Sequence, residues 1–435
     1  MEPVNVGIIG LGNVGLGALE ILWDNWEQNT RKLGFPLWLR AICSRTLDNK
    51  PLPSGMERVL RTTDWREVVE HPEIDIVCEL VGGTTVAREM IDAAIARCKS
   101  VVTANKELMA LHGPEIWKRA AEANVNLAME ASVAGGIPIH TVLREGISGD
   151  RLNALFGILN GTSNFILTEI EKRGADFGDV LAEAQRLGYA EANPTADIDG
   201  YDARSKLAIL AALMFGQSVA PSAIYTEGIR RITPFDFEYA RQLGYTIRLL
   251  CAARRHDDGL QLSVRPALLA KSAILAGVSG AYNGIWVRGD YGQDTFYYGR
   301  GAGPRPTGVA VVSDLMRVAR EIRAGSHDRV SPFAHAELRA VAPLPLDDQR
   351  SAYYLRFRVK DRPGIIAALS QTLAAKGISL DAVLQVPCDT KDNLPFVITV
   401  EPTEERALRD AVAAMANLDF LVEPPLALPM ERGLS

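Results

Sequence analysis

The run GYAEANPTADIDGYDARSK, residues 188–206, gathers Glu191, Asp197, Asp199 and Asp202 ahead of Lys206. Pro194 and Gly200 place its front part in a loop, and the pattern turns helical from Asp202 onward. Asp202 and Lys206 stand four apart, so they share one helix face in the favourable acid-before-base order. A lysine facing carboxylates keeps its proton and can donate it to a developing alkoxide. The same residues also describe an N-capped surface helix with one ordinary ion pair, and chemistry alone leaves both readings open. Calcium binding is not indicated, because the D-x-D-x-D-G spacing of such loops is missing.

A second constellation is Gly10-Leu-Gly12-Asn13-Val14-Gly15. It follows an apolar run, Val4–Ile9, and opens a helical pattern, the context a dinucleotide fingerprint requires. Gly10 permits the tight turn, Gly12 lets backbone approach a pyrophosphate, and Gly15 lets helix pack on strand. The helix start offers N–H groups to phosphates. An acid at the end of the second strand would bind the ribose hydroxyls of NAD. Here that position reads Cys43-Ser44-Arg45-Thr46. An arginine suits a 2′-phosphate, so NADP(H) is expected to be preferred over NAD(H); the same Arg45 also reads as one more solvated surface charge.

Three further motifs are less self-explanatory. Lys106, in VVTANKE after Thr103, lies just past a strand, where by itself it reads as a solvated lysine. Asn160-Gly-Thr-Ser-Asn caps a helix or orients a polar substrate. The loop GRGAGPRPT around Gly303 precedes a helix but is no P-loop, since no Gly-Lys-Ser/Thr follows. The six histidines are scattered, and no Gly-x-Ser-x-Gly elbow occurs, so zinc and serine-hydrolase chemistry find no support.

The elements that must hold these residues come in three blocks. Strands at Val4–Ile9, Leu37–Cys43, Ile74–Leu80, Val101–Ala104 and Val125–Met129 alternate with helices at Val14–Trp26, Val86–Arg97 and Pro114–Ala123. That predicts an α/β fold, a Rossmann-type doubly wound parallel sheet over 1–140. A return helix follows near 305–330. Residues 141–305 read as an α+β catalytic and dimerisation domain, with helices at Asn164–Arg173, Phe177–Leu187, Ala203–Phe215 and Phe235–Ala253. Short strands are expected there at Leu260–Val264 and Ile285–Arg288. Residues 341–350 read as a linker. Residues 351–430 read as a ferredoxin-like βαββαβ module whose last strand is Phe420–Val422.

The chain has 435 residues, 47% hydrophobic and 23% charged, with a formal net charge of −6. That balance argues against nucleic acid or anionic membrane as partner. Its longest apolar run, Leu207 to Phe215, is too short to span a bilayer. Five cysteines without a CxxC pair point to a reducing cytoplasm.

GIIGLGNVG, VVTANKE, EASVAGGIPI, NGTSNFIL, GYAEANPTADIDGYDARSKLAILA and GRGAGPRPT, in that order, resemble the homoserine dehydrogenase family, in its longer bacterial form with a C-terminal ACT domain. The resemblance implies NAD(P)H-dependent interconversion of aspartate 4-semialdehyde and homoserine, on the route to threonine, methionine and isoleucine. It implies Lys206 as proton donor with Asp202 as its acidic partner, and substrate held by Glu191, Asp197 and Lys106. It implies cofactor binding by Gly10, Gly12, Asn13, Val14, Gly15, Arg45, Thr103, Lys106 and Gly303. Glu130, Val133, Gly135 and Ile137 fall where the family binds a monovalent cation such as sodium. Asn193 stands where the family usually has aspartate. A homodimer is implied, as is feedback control at the ACT domain, with threonine the first candidate. There the loops Asp361–Gly364 and Gly377–Asp381 would meet the carboxylate and ammonium of an amino acid. Other readings are a different dehydrogenase of aspartate-like substrates, or an amino-acid sensor with a vestigial cofactor fold.

Overall fold

The computed structural model describes residues 2–434 except 327–330, 387–390 and 417. Cys388 lies outside the described residues. The chain packs as two compact units, Met1–Leu155 with Arg204–Ile224 and Asn283–Ala342, and Phe156–Ala203 with Tyr225–Tyr282 and Pro343–Ser435.

The first unit is built on six strands: β1 (Val4–Ile9), β2 (Leu37–Cys43), β3 (Leu60–Thr62), β4 (Ile76–Glu79), β5 (Ser100–Thr103) and β6 (Leu127–Ala128). All are parallel, in the order β3-β2-β1-β4-β5-β6. The order reverses between β1 and β4, and such switch points open a crevice at the carboxyl ends of the strands. The helix Pro304–Arg323 supplies Ala310, Val311, Leu315 and Ala319 to the same core as Val6, Ile8 and Leu19. It approaches the first helix, Asn13–Asp24, through two glycines. A Cβ on Gly17 would lie 2.2 Å from the Pro304 carbonyl oxygen, and one on Gly308 would lie 2.7 Å from the Gly17 carbonyl carbon.

One helix of this unit is longer than its sequence suggested. Instead of starting at Pro114, it runs Lys106–Glu122 with Pro114 inside. Asn105 explains the earlier start, because its side-chain oxygen accepts the Leu108 N–H and caps the first turn.

In the second unit a long antiparallel hairpin pairs Tyr245–His256 with Gly259–Ala270. The expected helix Phe235–Ala253 is therefore corrected: it ends at Gln242, and Gly244 turns the chain at φ +84. Leu, Ala and Arg favour a helix locally, but twelve paired residues and a buried strand face override that preference.

The C-terminal segment does form βαββαβ. Its strands stand in the order Leu426–Glu431, Arg350–Val359, Leu394–Glu404, Leu380–Leu384, with helices Ile365–Ala374 and Glu405–Met415. Phe357, Phe396, Leu369 and Leu408 share its core. The last strand is Leu426–Glu431, not Phe420–Val422, where Leu421 makes only an isolated bridge to Val359. Met430 also pairs with Leu268, so the sheet of the module continues the hairpin. No helix among the described residues is long and apolar enough to cross a membrane.

Candidate active site

At the β1/β4 crevice Gly10, Gly12, Ser44, Arg45, Lys50 and Gly82 line a cavity of about 930 Å³. Gly10 has φ +101, and a Cβ there would lie 2.6 Å from the Leu80 carbonyl carbon. A Cβ on Gly15 would lie 1.9 Å from the Gly10 carbonyl oxygen, whereas Gly12 has nothing within 4 Å. The three glycines thus divide the work as expected: turn, open approach, packing. Gly12 caps the helix without a side-chain bond, so the helix start can receive a phosphate. Asn13 and Gly303 line a separate cavity of about 740 Å³ in the same unit.

Thr103 is fully buried and donates to Glu79 Oε2 at 2.8 Å. The other oxygen of Glu79 accepts the N–H groups of Val81 and Gly82 at 2.8 and 3.1 Å. Thr103 therefore acts through Glu79, which shapes the loop bordering the cavity. Sequence reasoning passed over Glu79; its signal was an acid closing an apolar strand just before a glycine pair. Lys106 begins its helix half-buried, next to Asn105, whose amide donates to the Gly83 carbonyl at 2.7 Å.

The loop 130–137 is tightly specified. Glu130 accepts the N–H groups of His140 and Thr141 at 2.8 and 2.9 Å, and its own N–H donates to Asp314. Ala134 and Gly135 take φ +58 and +50, and a Cβ on Gly135 would lie 2.8 Å from the Gly301 carbonyl. The Glu130 carboxylate is thus engaged with backbone, which leaves carbonyls as the oxygen donors of this loop. No cluster of three His, Cys, Asp or Glu that could hold a metal occurs among the described residues. Burial pushes the Asp314 carboxyl up to about 6 and the His140 ring down to about 4.

In the second unit the polar run folds around Asn160. Its side-chain oxygen accepts the Ser163 N–H at 2.8 Å, capping the helix Gly161–Arg173. Its amide nitrogen donates to Asp197 Oδ1 at 2.7 Å and Asp202 Oδ2 at 2.8 Å. The motif NGTSNFIL therefore caps its helix, and its first amide also ties Asp197 to Asp202. The Ser163 hydroxyl donates to the Asp197 carbonyl at 2.8 Å. Asp202 and Lys206 both lie on the helix Tyr201–Phe215, one turn apart, and each is only 7% exposed. Glu191 is exposed, and its carbonyl accepts from Gln185 at 3.0 Å. Asn193 accepts the Thr195 N–H at 3.2 Å, a turn-forming bond that an aspartate would also make. Arg230 clasps Asp199 with two bonds, 2.5 and 3.0 Å; nothing in the sequence marked that pair.

A parallel sheet of this order, with its glycine turn at the switch point, is the fold of dinucleotide-dependent oxidoreductases, and that is the class the chain falls in. Family models narrow it. "Homoserine dehydrogenase, NAD binding domain" matches residues 10–130, "Homoserine dehydrogenase" matches 138–316, and "ACT domain" matches 353–420. The homoserine dehydrogenase of Neisseria gonorrhoeae is 42% identical over 433 residues, 99% of each chain. The crystal structure of a homoserine dehydrogenase from Thiobacillus denitrificans superposes with a TM-score of 0.90 at 44% identity, covering 99% of this chain and 98% of that one. A hyperthermophilic archaeal homoserine dehydrogenase mutant in complex with NADPH matches at TM-score 0.62 and 27% identity, over 73% of this chain and 98% of that one. The chain belongs to the homoserine dehydrogenase family, in the form that carries a C-terminal ACT domain.

Proposed function

We propose that the reaction runs through the acid-and-amide cluster of residues 160–206, with L-aspartate 4-semialdehyde and L-homoserine as the interconverted pair. Asn160 bridging Asp197 and Asp202 at the head of the helix that bears Lys206 carries this reading. The nicotinamide cofactor, when bound, supplies or accepts the hydride at the carbonyl carbon. Lys206 gives its proton to the carbonyl oxygen in reduction and takes it back in oxidation. Asp202, four residues earlier on the same helix, is its acidic partner. Glu191 and Asp197 supply negative charge for the substrate ammonium, and Lys106 orients substrate at the nicotinamide end. The product serves synthesis of threonine, methionine and isoleucine.

NADP(H) is the preferred cofactor. Arg45 and Lys50 in the cavity, with no carboxylate at the end of β2, support it. Cofactor contacts extend through Asn13, Val14 and Gly303, with Thr103 supporting them from the core through Glu79. A monovalent cation such as sodium, held by backbone oxygens of Glu130, Val133, Gly135 and Ile137, would brace the strained loop. The enzyme works as a homodimer in the cytoplasm, where Cys43, Cys78, Cys98 and Cys251 stay as the free thiols they are. The C-terminal module senses an amino acid end product, threonine first. NADP⁺ reduction with L-homoserine, against L-aspartate and L-malate, tests the substrate. A rate confined to homoserine is expected, and equal or greater rates with the others would refute it.

A further inference from the structure

Glu79 closes β4 with a wholly buried carboxylate whose hydrogen-bond donors are neutral. One oxygen accepts the Val81 and Gly82 N–H groups, and the other accepts the Thr103 hydroxyl. Thr103 stands opposite Glu79 in the pairing of β4 with β5. Its own oxygen accepts the Asn105 N–H at 3.0 Å, and the Asn105 amide reaches back to the Gly83 carbonyl at 2.7 Å. Three side chains thus close a ring around the turn Val81–Gly83, where Gly82 and Gly83 take φ +82 and +74. All three turn residues line the cavity of about 930 Å³ at the glycine fingerprint.

This ring does not require a charge. A glutamine oxygen can accept the same two N–H groups, and its nitrogen can donate to Thr103, whose oxygen has two lone pairs. Burying an anion is costly where a neutral isostere would serve. Neutral donors stabilise the anion without cancelling its field, and a buried charge is screened far less than an exposed one. The surplus charge therefore points to a positive group in the cavity. A sheet of this strand order holds a dinucleotide as two halves, one mononucleotide over each half of the sheet. Arg45, just after β2, belongs to the half that takes the adenosine ribose. β4 and β5 belong to the other, under the nicotinamide nucleotide. In that nucleotide the phosphate is anionic and the ribose neutral. The ring is a cation when oxidised and neutral when reduced, so it is the one group an anion favours.

We propose that Glu79 sets the redox preference of cofactor binding, its buried anion favouring the oxidised nicotinamide over the reduced one. It weights the bound cofactor toward the form left after reduction of the aldehyde. The loop contacts of Glu79 serve both forms alike, whereas its charge separates them. The inference needs only a bound nicotinamide dinucleotide and is independent of the choice between NADP(H) and NAD(H).

Calorimetric titration of the full chain with NADP⁺, NADPH, NAD⁺ and NADH tests it, without turnover. The quantity read is the Kd of the reduced form divided by that of the oxidised form. Glu79→Gln removes the charge and keeps the shape. Glu79→Met with Thr103→Val is a second charge-free variant, in which both buried partners become apolar together. Glu79→Asp keeps the charge on a shorter arm. In the charge-free variants that stay folded by circular dichroism the ratio should fall about three- to tenfold, the scale of one charge acting through a protein interior. In Glu79→Asp it should stay within about twofold of wild type, even where both constants rise. The fall should be alike for the phosphorylated and unphosphorylated pairs, since Arg45 acts equally on both redox forms of one cofactor. Constants that rise together at a fixed ratio in the charge-free variants would make Glu79 a brace for the loop and overturn the proposal. A ratio that climbs in them, or that falls as far in Glu79→Asp, would overturn it as well.

Discussion

The side-chain amide of Asn160 lies 2.8 Å from the carboxylate of Asp202, forty-two residues away in sequence. The same nitrogen reaches Asp197 at 2.7 Å, so one neutral group keeps two anions apart and oriented. A hydrogen bond to a charged group is worth roughly 1.5–3 kcal/mol. Asn160→Ala should therefore lower kcat/KM for homoserine by about 10- to 100-fold. Steady-state kinetics beside a melting curve check this. A lower melting temperature with unchanged kcat/KM would reduce Asn160 to a helix cap.

Cofactor choice is predicted to rest on Arg45. Arg45→Ala should lower kcat/KM for NADP⁺ by about tenfold or more, the scale of one charge-assisted bond, and leave NAD⁺ nearly unchanged. Measuring both cofactors on both proteins decides it. A preference for NAD⁺ that the substitution leaves untouched would contradict the charge argument. Tight NADP⁺ binding with slow turnover would show the 2′-phosphate clamp holding the cofactor without aiding transfer.

Two buried groups of the first unit give opposite pH dependences. The carboxyl of Asp314 is raised to about 6, chiefly by burial, against about 3.9 unfolded. Between those values the folded state keeps a proton that the unfolded state has released, so stability falls as pH rises. His140 is lowered to about 4, chiefly by burial, against about 6.5 unfolded. There the unfolded state binds the extra proton, and stability rises with pH. Over roughly pH 4–6 the two slopes oppose. Asp314→Asn should unmask a rise of up to about 1.4 kcal/mol per pH unit, and His140→Gln a matching fall. Urea unfolding across that range measures both. Parallel curves for wild type and variants would contradict the assignment.

The C-terminal module is predicted to be part of the second unit's core. Asp236 is wholly buried and bonded by Arg356 and Tyr354, while Arg265 is bonded by Glu405. Burial raises the Asp236 carboxyl despite the pull of Arg356. Removing one partner of a buried pair costs roughly 3–5 kcal/mol. Arg356→Met should cost about that in urea unfolding. A chain ended at Leu344 should lose cooperative unfolding as well as activity. A truncated chain that unfolds cooperatively and turns over homoserine would show the module to be a detachable appendage.

Much of this was readable beforehand because it is local. Val4–Ile9 followed by Gly10, Gly12 and Gly15 announces strand, turn and helix within a dozen residues, and the parallel sheet follows from the alternation. The Asp202–Lys206 spacing fixes a shared helix face. What escaped is non-local. Tyr245–His256 looks helical by residue type and becomes a strand because Gly259–Ala270 lies opposite. Leu426–Glu431 replaces Phe420–Val422 as the closing strand because its register matches both Arg350–Val359 and the hairpin. The Asn160–Asp202 bridge and the Arg230–Asp199 pair join residues tens of positions apart, and no spacing rule encodes them.

Single-turnover and steady-state oxidation of L-homoserine by Lys206→Ala tests the central claim most directly. General acid–base catalysis typically supplies about 10²- to 10⁴-fold. Turnover should fall by that order while NADP⁺ still binds, because the glycine turn and Arg45 belong to a different set of residues from Lys206. Near-wild-type turnover in the folded variant would remove Lys206 from the mechanism.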